Sequence, residues 1–188
     1  MEWSAKQDVG ELKNMPTRKN KPAAVWVRPA GFGDAAEIYR LIKEHPREVL
    51  ARSIGDIVQN IDRFLVAEVG GRVVGTASWQ ILPEIGRVTE PSIELKSVAV
   101  SKKFQRRGVG EALVRALVHH VRSYRPAQLV VLTFSPDYFR RFGFRETPKE
   151  KLMHKLYMGC VNCSKYDSPF TCPEVAMTID LRKPKNGI

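Results

Sequence analysis

The run Gln105-Arg106-Arg107-Gly108-Val109-Gly110 is the part of this 188-residue sequence best equipped to hold an anion. Its two glycines let the backbone approach a bulky group, and the residues after it read as the start of a helix, whose first N–H groups have no partner inside the helix. Free N–H groups, a favourable helix dipole and two guanidinium groups together suit a phosphate. A Walker A loop is excluded because no Gly-Lys-Ser/Thr follows, and a dinucleotide fingerprint because its first glycine is missing. The plainer alternative is a glycine turn that opens a helix and binds nothing.

Other groups with chemical potential are more scattered. Glu94 and Lys96 lie two residues apart, and Thr133, Ser135 and Tyr138 supply hydroxyls further on. Cys160-x-x-Cys163, Cys172 and His154 are soft ligands of the type zinc uses, yet a zinc ribbon needs a second ligand pair. We therefore expect free thiols and no metal. His45, His119 and His120 fall on predicted helices or their ends and read as structural or solvated.

The elements that must position these groups follow from hydrophobic period and turn residues. Residues 25–27 predict a short strand ending at Arg28 and Pro29. Asp34 is placed to cap a helix through Lys43, with Ala35, Ile38, Leu41 and Ile42 facing inward. A weaker helix is predicted over 53–61 from Ile54, Ile57, Val58 and Ile61. Residues 64–69 and 73–79 form a hairpin around Gly70-Gly71. Residues 93–100 predict a strand whose alternation puts Glu94, Lys96, Val98 and Val100 on one face and Leu95, Ser97 and Ala99 on the other. A helix over 109–122, a buried strand over 128–133, a short helix over 136–142 stopped by Gly143, and a last strand over 175–181 complete the pattern.

The length suits one domain. We expect a flexible tail at 1–22, a domain over 23–182 with an irregular cysteine-bearing excursion at about 149–172, and a short tail at 183–188. The alternation of elements predicts an α/β fold, its sheet mixed because at least one hairpin is antiparallel. A net charge of +11 raises the question of nucleic acid, but the cations are scattered apart from Lys102, Lys103, Arg106 and Arg107, and four cations suit one anionic cofactor. Neither nucleic acid nor a membrane is an expected partner. No segment has the length of an apolar span or the apolar core of a secretory signal, so the expected address is cytoplasmic.

The strand 93–100 followed by Gln105 to Gly110 resembles the acetyl-CoA signature of the GNAT superfamily, Q/R-x-x-G-x-G/A after the fourth strand. The resemblance implies a GNAT-like mixed, splayed central sheet flanked by helices on both faces. It implies acetyl-CoA as cofactor, bound by Val98, Ala99, Val100, Gln105, Arg106, Arg107, Gly108, Val109, Gly110 and Glu111. Glu94-Leu95 with Ser97-Val98-Ala99-Val100, the run from Tyr138 to Phe144, and the tail with Cys160, Cys163 and Cys172 resemble the short, stand-alone amino-acid N-acetyltransferases, the N-acetylglutamate synthases of arginine biosynthesis. That likeness implies transfer of an acetyl group to the α-amine of a small amino acid, with L-glutamate foremost and a homodimer as a compatible assembly.

An amino acid arrives mostly as an ammonium ion, so a base must take its proton. Glu94 is the candidate, acting through water because it lies roughly 13 Å along the strand from Val98. Its plainer role is an ion pair with Lys96. Lys96 is the candidate for holding a substrate carboxylate. Many superfamily members place a tyrosine four residues before the glycine of the final Gly-Phe, where it protonates the leaving thiolate; here that position is Phe139. Ser135 and Tyr138 become the candidate acids, and for Tyr138 the alternative is a core residue with a hydrated hydroxyl. Two other functions stay open: acetylation of a protein N-terminus, a lysine or a polyamine, and a non-catalytic CoA-binding sensor or basic adaptor.

Overall fold

Gly70 and Gly71 both adopt positive φ (59° and 73°), closing a tight turn that joins two antiparallel strands, as the sequence predicts. They belong to a computed structural model that describes residues 24–83, 91–161, 163 and 165–182. The expected tails at 1–22 and 183–188, and most of the loop between Pro83 and Pro91, lie outside these residues.

Seven strands form one sheet: β1 (Val25–Pro29), β2 (Phe64–Val69), β3 (Arg72–Leu82), β4 (Ser92–Val100), β5 (Gln128–Thr133), β6 (Arg145–Glu146) and β7 (Val175–Asp180). Their order is β1-β2-β3-β4-β5-β7-β6. All neighbours are antiparallel except β4 and β5, which are parallel and joined over helix α3 (Val109–Val121). Helices α1 (Ala35–Lys43) and α2 (Ile54–Gln59) precede β2, and α4 (Pro136–Arg140) follows β5. The excursion predicted as irregular contains a single α-turn, α5 (Met153–Lys155), which runs into a π-turn at Leu156–Cys160.

Each face of the sheet carries its own core. Leu113, Leu117 and Val121 of α3 pack with Leu65, Ala77, Ile93, Leu95 and Leu129 on one face. On the other, Ile38, Leu41 and Ile42 of α1 and Ile57 of α2 cover Phe64, Val66 and Ala99. Over 53–61 the predicted pattern holds for Ile57 in α2 and for Ile61 in the 3-10 turn after it, whereas Ile54 and Val58 are exposed. Asp34 precedes α1 without capping it: its carboxylate accepts the Gly31 N–H at 2.8 Å and the Arg28 guanidinium at 2.7 and 2.9 Å.

The strand predicted as a simple alternation is interrupted. Thr76 pairs with Ala99 and Ser78 with Lys96, so Ala77 faces both Ser97 and Val98, and Ser97 takes a φ of 54°. This β-bulge resets the phase of β4. Ile93 and Leu95 share the α3 face with Val98 and Val100, while Ala99 is buried in the α1–α2 core. Glu94 and Lys96 lie across from Gln80 and Ser78 on the opposite face to Val98. The predicted common face of Glu94, Lys96, Val98 and Val100 is therefore incorrect, and strict alternation fails because one extra residue is inserted at Ser97.

Strand β4 pairs with β5 only from Ser92 to Glu94, against Gln128 to Val130, and beyond that point the two strands part. The seat of α3 fixes the geometry at this opening. A Cβ on Gly75 of β3 would stand 2.9 Å from Leu113 Cδ1, 3.1 Å from Val109 Cγ1 and 3.3 Å from the Ala99 carbonyl. Gly75→Ala should accordingly destabilise the fold by about 1–3 kcal/mol. Urea unfolding should show a lower midpoint at an unchanged slope, and a parent-like midpoint would mean that α3 is loosely seated.

Candidate active site

The turn after β4 is held from two sides. His45, at the end of α1, places Nε2 2.8 Å from the Val100 carbonyl, and the Glu44 carboxylate accepts the Lys102 N–H at 3.2 Å. His45 thus has a partner that its sequence position did not reveal. The chain then passes through a 3-10 turn (Lys102–Phe104) and takes positive φ at Arg106 (59°) and Gly108 (81°) before α3 begins. The first helical bond runs from Ala112 N to Gly108 O at 2.9 Å, which leaves the N–H groups of Val109, Gly110 and Glu111 without partners inside the helix. A Cβ on Gly108 would meet nothing within 4 Å. Open space above a left-handed glycine, N–H groups at a helix start, and exposed Arg106 and Arg107 are what a pyrophosphate requires.

Other members of the predicted cofactor set are placed differently. Gln105 Nε2 donates to the Val100 carbonyl at 3.4 Å, and Glu111 accepts from Arg115 at 2.9 Å. The Ala99 side chain is buried away from the loop, so only its backbone is available to a ligand.

Tyr138 reaches this loop from α4. Its ring packs edge-on against Phe139 and Phe142 and lies under the Arg141 guanidinium. Its hydroxyl is buried without a hydrogen-bond partner, and burial, opposed by Arg141, pushes it up to about 12. The hydrated alternative for this hydroxyl does not describe the structure. A Cβ on Gly110 would stand 2.8 Å from Tyr138 Oη, so a glycine is needed there to admit the tyrosine. Phe139 is buried in the core. Ser135 is exposed just beyond β5, its N–H donating to Thr133 Oγ1 at 2.9 Å.

A second group of polar residues gathers on the opposite face. Glu94 is only 5% exposed; its Oε1 lies 2.8 Å from Lys155 Nζ, and its Oε2 is buried without a hydrogen-bond partner. The expected Glu94–Lys96 contact is replaced: Lys96 Nζ donates to Gln80 Oε1 at 2.7 Å. Burial draws the Lys96 ammonium below the ordinary lysine range, Glu94 opposing and Arg52 and Lys155 assisting. Burial also lowers Lys155, but the charge and hydrogen bond of Glu94 outweigh it and hold that ammonium above its ordinary range.

Arg52 is the residue that sequence reasoning missed on this side. Its Nε donates to Ser97 Oγ at 3.0 Å, at the bulge, and its Nη1 pairs with Asp56 at 2.6 Å. The i, i+4 spacing of Arg52 and Asp56 around the capping Ser53 was the available signal. Arg52, Lys96, Ser78, Gln80 and Asn60 line a cavity of about 150 Å³. A wider hollow of about 590 Å³ opens between Arg47, Phe134 and Tyr166. There Lys165 donates to the carbonyls of Pro46 (2.9 Å), Arg47 (3.4 Å) and Val49 (3.2 Å), tying the loop after α1 to the excursion.

Cys160, Cys163 and Cys172 are free thiols, and burial pushes Cys160 and Cys172 upward. Among the described residues no three His, Cys, Asp or Glu side chains converge as a metal site. None of their helices is long and apolar enough to cross a membrane.

Comparison with known proteins points the same way as this geometry. The model of the acetyltransferase (GNAT) family matches residues 32–144. An uncharacterized N-acetyltransferase of Chlorobaculum tepidum is 32% identical over 163 residues, covering 85% of this chain and 99% of its own. An amino-acid acetyltransferase of Mycobacterium tuberculosis is 29% identical over 146 residues, covering 75% of this chain and 79% of its own. Among solved structures, N-acetylglutamate synthase from Neisseria gonorrhoeae, complexed with coenzyme A and N-acetyl-glutamate, superposes with a TM-score of 0.69 at 22% identity over 87% of this chain and 36% of its own.

Gly108 and Gly110 fail differently when substituted. Gly108→Ala meets no atom but must hold an alanine at positive φ, which costs about 1–2 kcal/mol, and it crowds the approach to the loop. Gly110→Ala instead displaces Tyr138. Calorimetric titration with acetyl-CoA should show weakened binding in both, and undiminished affinity in Gly108→Ala would remove the pyrophosphate assignment.

Proposed function

The chain belongs to the acetyltransferase (GNAT) family and is an acetyl-CoA-dependent N-acetyltransferase; from that premise we propose that it acetylates the α-amine of a small amino acid, L-glutamate foremost, by direct attack. The observation that carries this reading is the buried carboxylate of Glu94, one oxygen without a partner, at the last β4 residue paired to β5 and two residues before Lys96, which lines a cavity with Arg52. Three cations, Arg52, Arg63 and Lys96, line that small cavity with one carboxylate, Asp56, which pairs with Arg52, and this excess of positive charge suits an anionic substrate. The names of the Mycobacterium relative and of the Neisseria structure support the same substrate class. This reading assigns the enzyme to the first step of arginine biosynthesis, in the cytoplasm.

Bound acetyl-CoA supplies the thioester that donates the acetyl group. Gln105 to Gly110 would hold its pyrophosphate through backbone N–H groups and through Arg106 and Arg107, and the backbone of Val98 to Val100 would be available to the acyl end. Lys96 and Arg52 hold the substrate carboxylates. Glu94 Oε2 accepts the ammonium proton through water, leaving a neutral amine to attack. A hydroxyl held at about 12 is a weak acid toward a thiolate of ordinary basicity, about 8.5, so Tyr138 would serve a departing sulfur as a hydrogen-bond donor and not as a proton source. Exposed Ser135 stands at the end of β5, where water can return the proton.

Free-thiol release from acetyl-CoA should be fastest with L-glutamate in a panel of amino acids, N-terminal peptides, lysine peptides and polyamines. Silence with every amino acid would overturn the proposal, and a preferred peptide or polyamine would change the acceptor. Glu94→Gln should lower turnover by about 100-fold at neutral pH and by less at high pH, where free amine is abundant.

Lys96→Met separates binding from stability. Because burial depresses the Lys96 ammonium, folding disfavours its charged form, and stability rises as pH climbs from its folded-state value toward the ordinary one. At neutral pH the methionine variant should thus match or exceed the parent in urea while its KM for glutamate rises about tenfold or more. An unchanged KM would deny Lys96 its role.

A further inference from the structure

We propose that Lys155, seated over Gly159 in the excursion before β7, is the positioning residue that fixes the Glu94 carboxylate through one oxygen and leaves the other unpartnered to take the proton. The inference rests on the reading of Glu94 as the base. The geometry is specific: both partners are more than nine-tenths buried, Nζ lies 2.8 Å from Oε1, and Oε2 has no hydrogen-bond partner. An isolated carboxylate in such a place would take up a proton rather than remain charged. The groups that face it are Lys96 on its own strand, Lys155 and Cys160 from the excursion, and Glu174 just before β7. Cys160 and Glu174 offer Glu94 no positive charge, and Lys96 is turned to Gln80, so Lys155 is the direct counter-ion.

The backbone around Lys155 is shaped for this contact. The π-turn at Leu156–Cys160 widens the helix by one residue, with Val161 N bonded to Leu156 O at 3.0 Å. A Cβ on Gly159 would lie 2.7 Å from Lys155 Nζ. The ammonium thus folds back over its own turn to reach the sheet, and a side chain at position 159 would make it shift.

The test compares Lys155→Met, Gly159→Ala and Glu94→Gln in the full chain, following kcat and KM against pH with acetyl-CoA and the best amino acid. Lys155→Met should move the acid limb of the pH–rate profile up by about one unit or more and lower kcat at neutral pH by up to about tenfold per unit of that shift, with KM for acetyl-CoA unchanged. Activity then returns as pH rises. Gly159→Ala keeps the charge but crowds the ammonium, and should move the limb the same way by less; it carries the test if Lys155→Met does not fold. Infrared spectra of Lys155→Met at neutral pH should show a protonated carboxyl band that is absent when Glu94→Gln is added. A loss that is uniform across pH, or an acid limb that coincides with the parent's, overturns the role of Lys155. If Glu94→Gln keeps the parent's turnover and profile, the base assignment falls, and with it this one. If Glu94→Gln loses turnover while Lys155→Met keeps the acid limb, only the role of Lys155 falls.

Discussion

Strand β4 keeps its hydrogen bonds to β3 along its length but keeps those to β5 only as far as Glu94. The remainder of the strand has to satisfy its backbone on one side alone, and a sheet interior seldom tolerates that without a ligand or solvent. Two features make the arrangement stable. The bulge at Ser97 sharpens the local twist, and Arg52 braces it by donating to the serine hydroxyl. At the far end, His45 and Gln105 both direct nitrogens to the Val100 carbonyl.

Buried charge is the second governing theme. Glu94, Lys96, Lys155 and Glu174 all lie in or near the low-dielectric region under the excursion, where leaving an ion unpaired is expensive. The structure resolves this by pairing Glu94 with Lys155 and by giving Lys96 a neutral amide partner. Burial correspondingly raises the Glu174 carboxyl. Such buried pairs add little net stability, because desolvation offsets most of the attraction between the charges.

The order of elements was legible in the sequence because apolar period and turn residues act locally. Gly70-Gly71, the inward face of α1 and the amphipathic α3 could each be read within a dozen residues. The cofactor loop was legible for the same reason, since its glycines, arginines and helix start are contiguous. The acceptor side was not. Glu94 meets a lysine sixty-one residues further on, in a stretch without period, and Arg52 reaches Ser97 across forty-five. The bulge was hidden too, because Ser97 carries no glycine to announce its positive φ. Alternation therefore placed Glu94 beside Val98, and only the register with β3 separates them.

That separation has a kinetic consequence. Val98, Val100 and Tyr138 border one side of the sheet, and Glu94 and Lys96 the other, so the parted strands act as a window in a wall. On the proposed reading, donor and acceptor come to the window from different rooms and meet in its frame. Neither obstructs the other's doorway, and no side chain has to ferry the acetyl group across. The expected traffic is a ternary complex in which both guests are present at once, with each product leaving by the way its parent came.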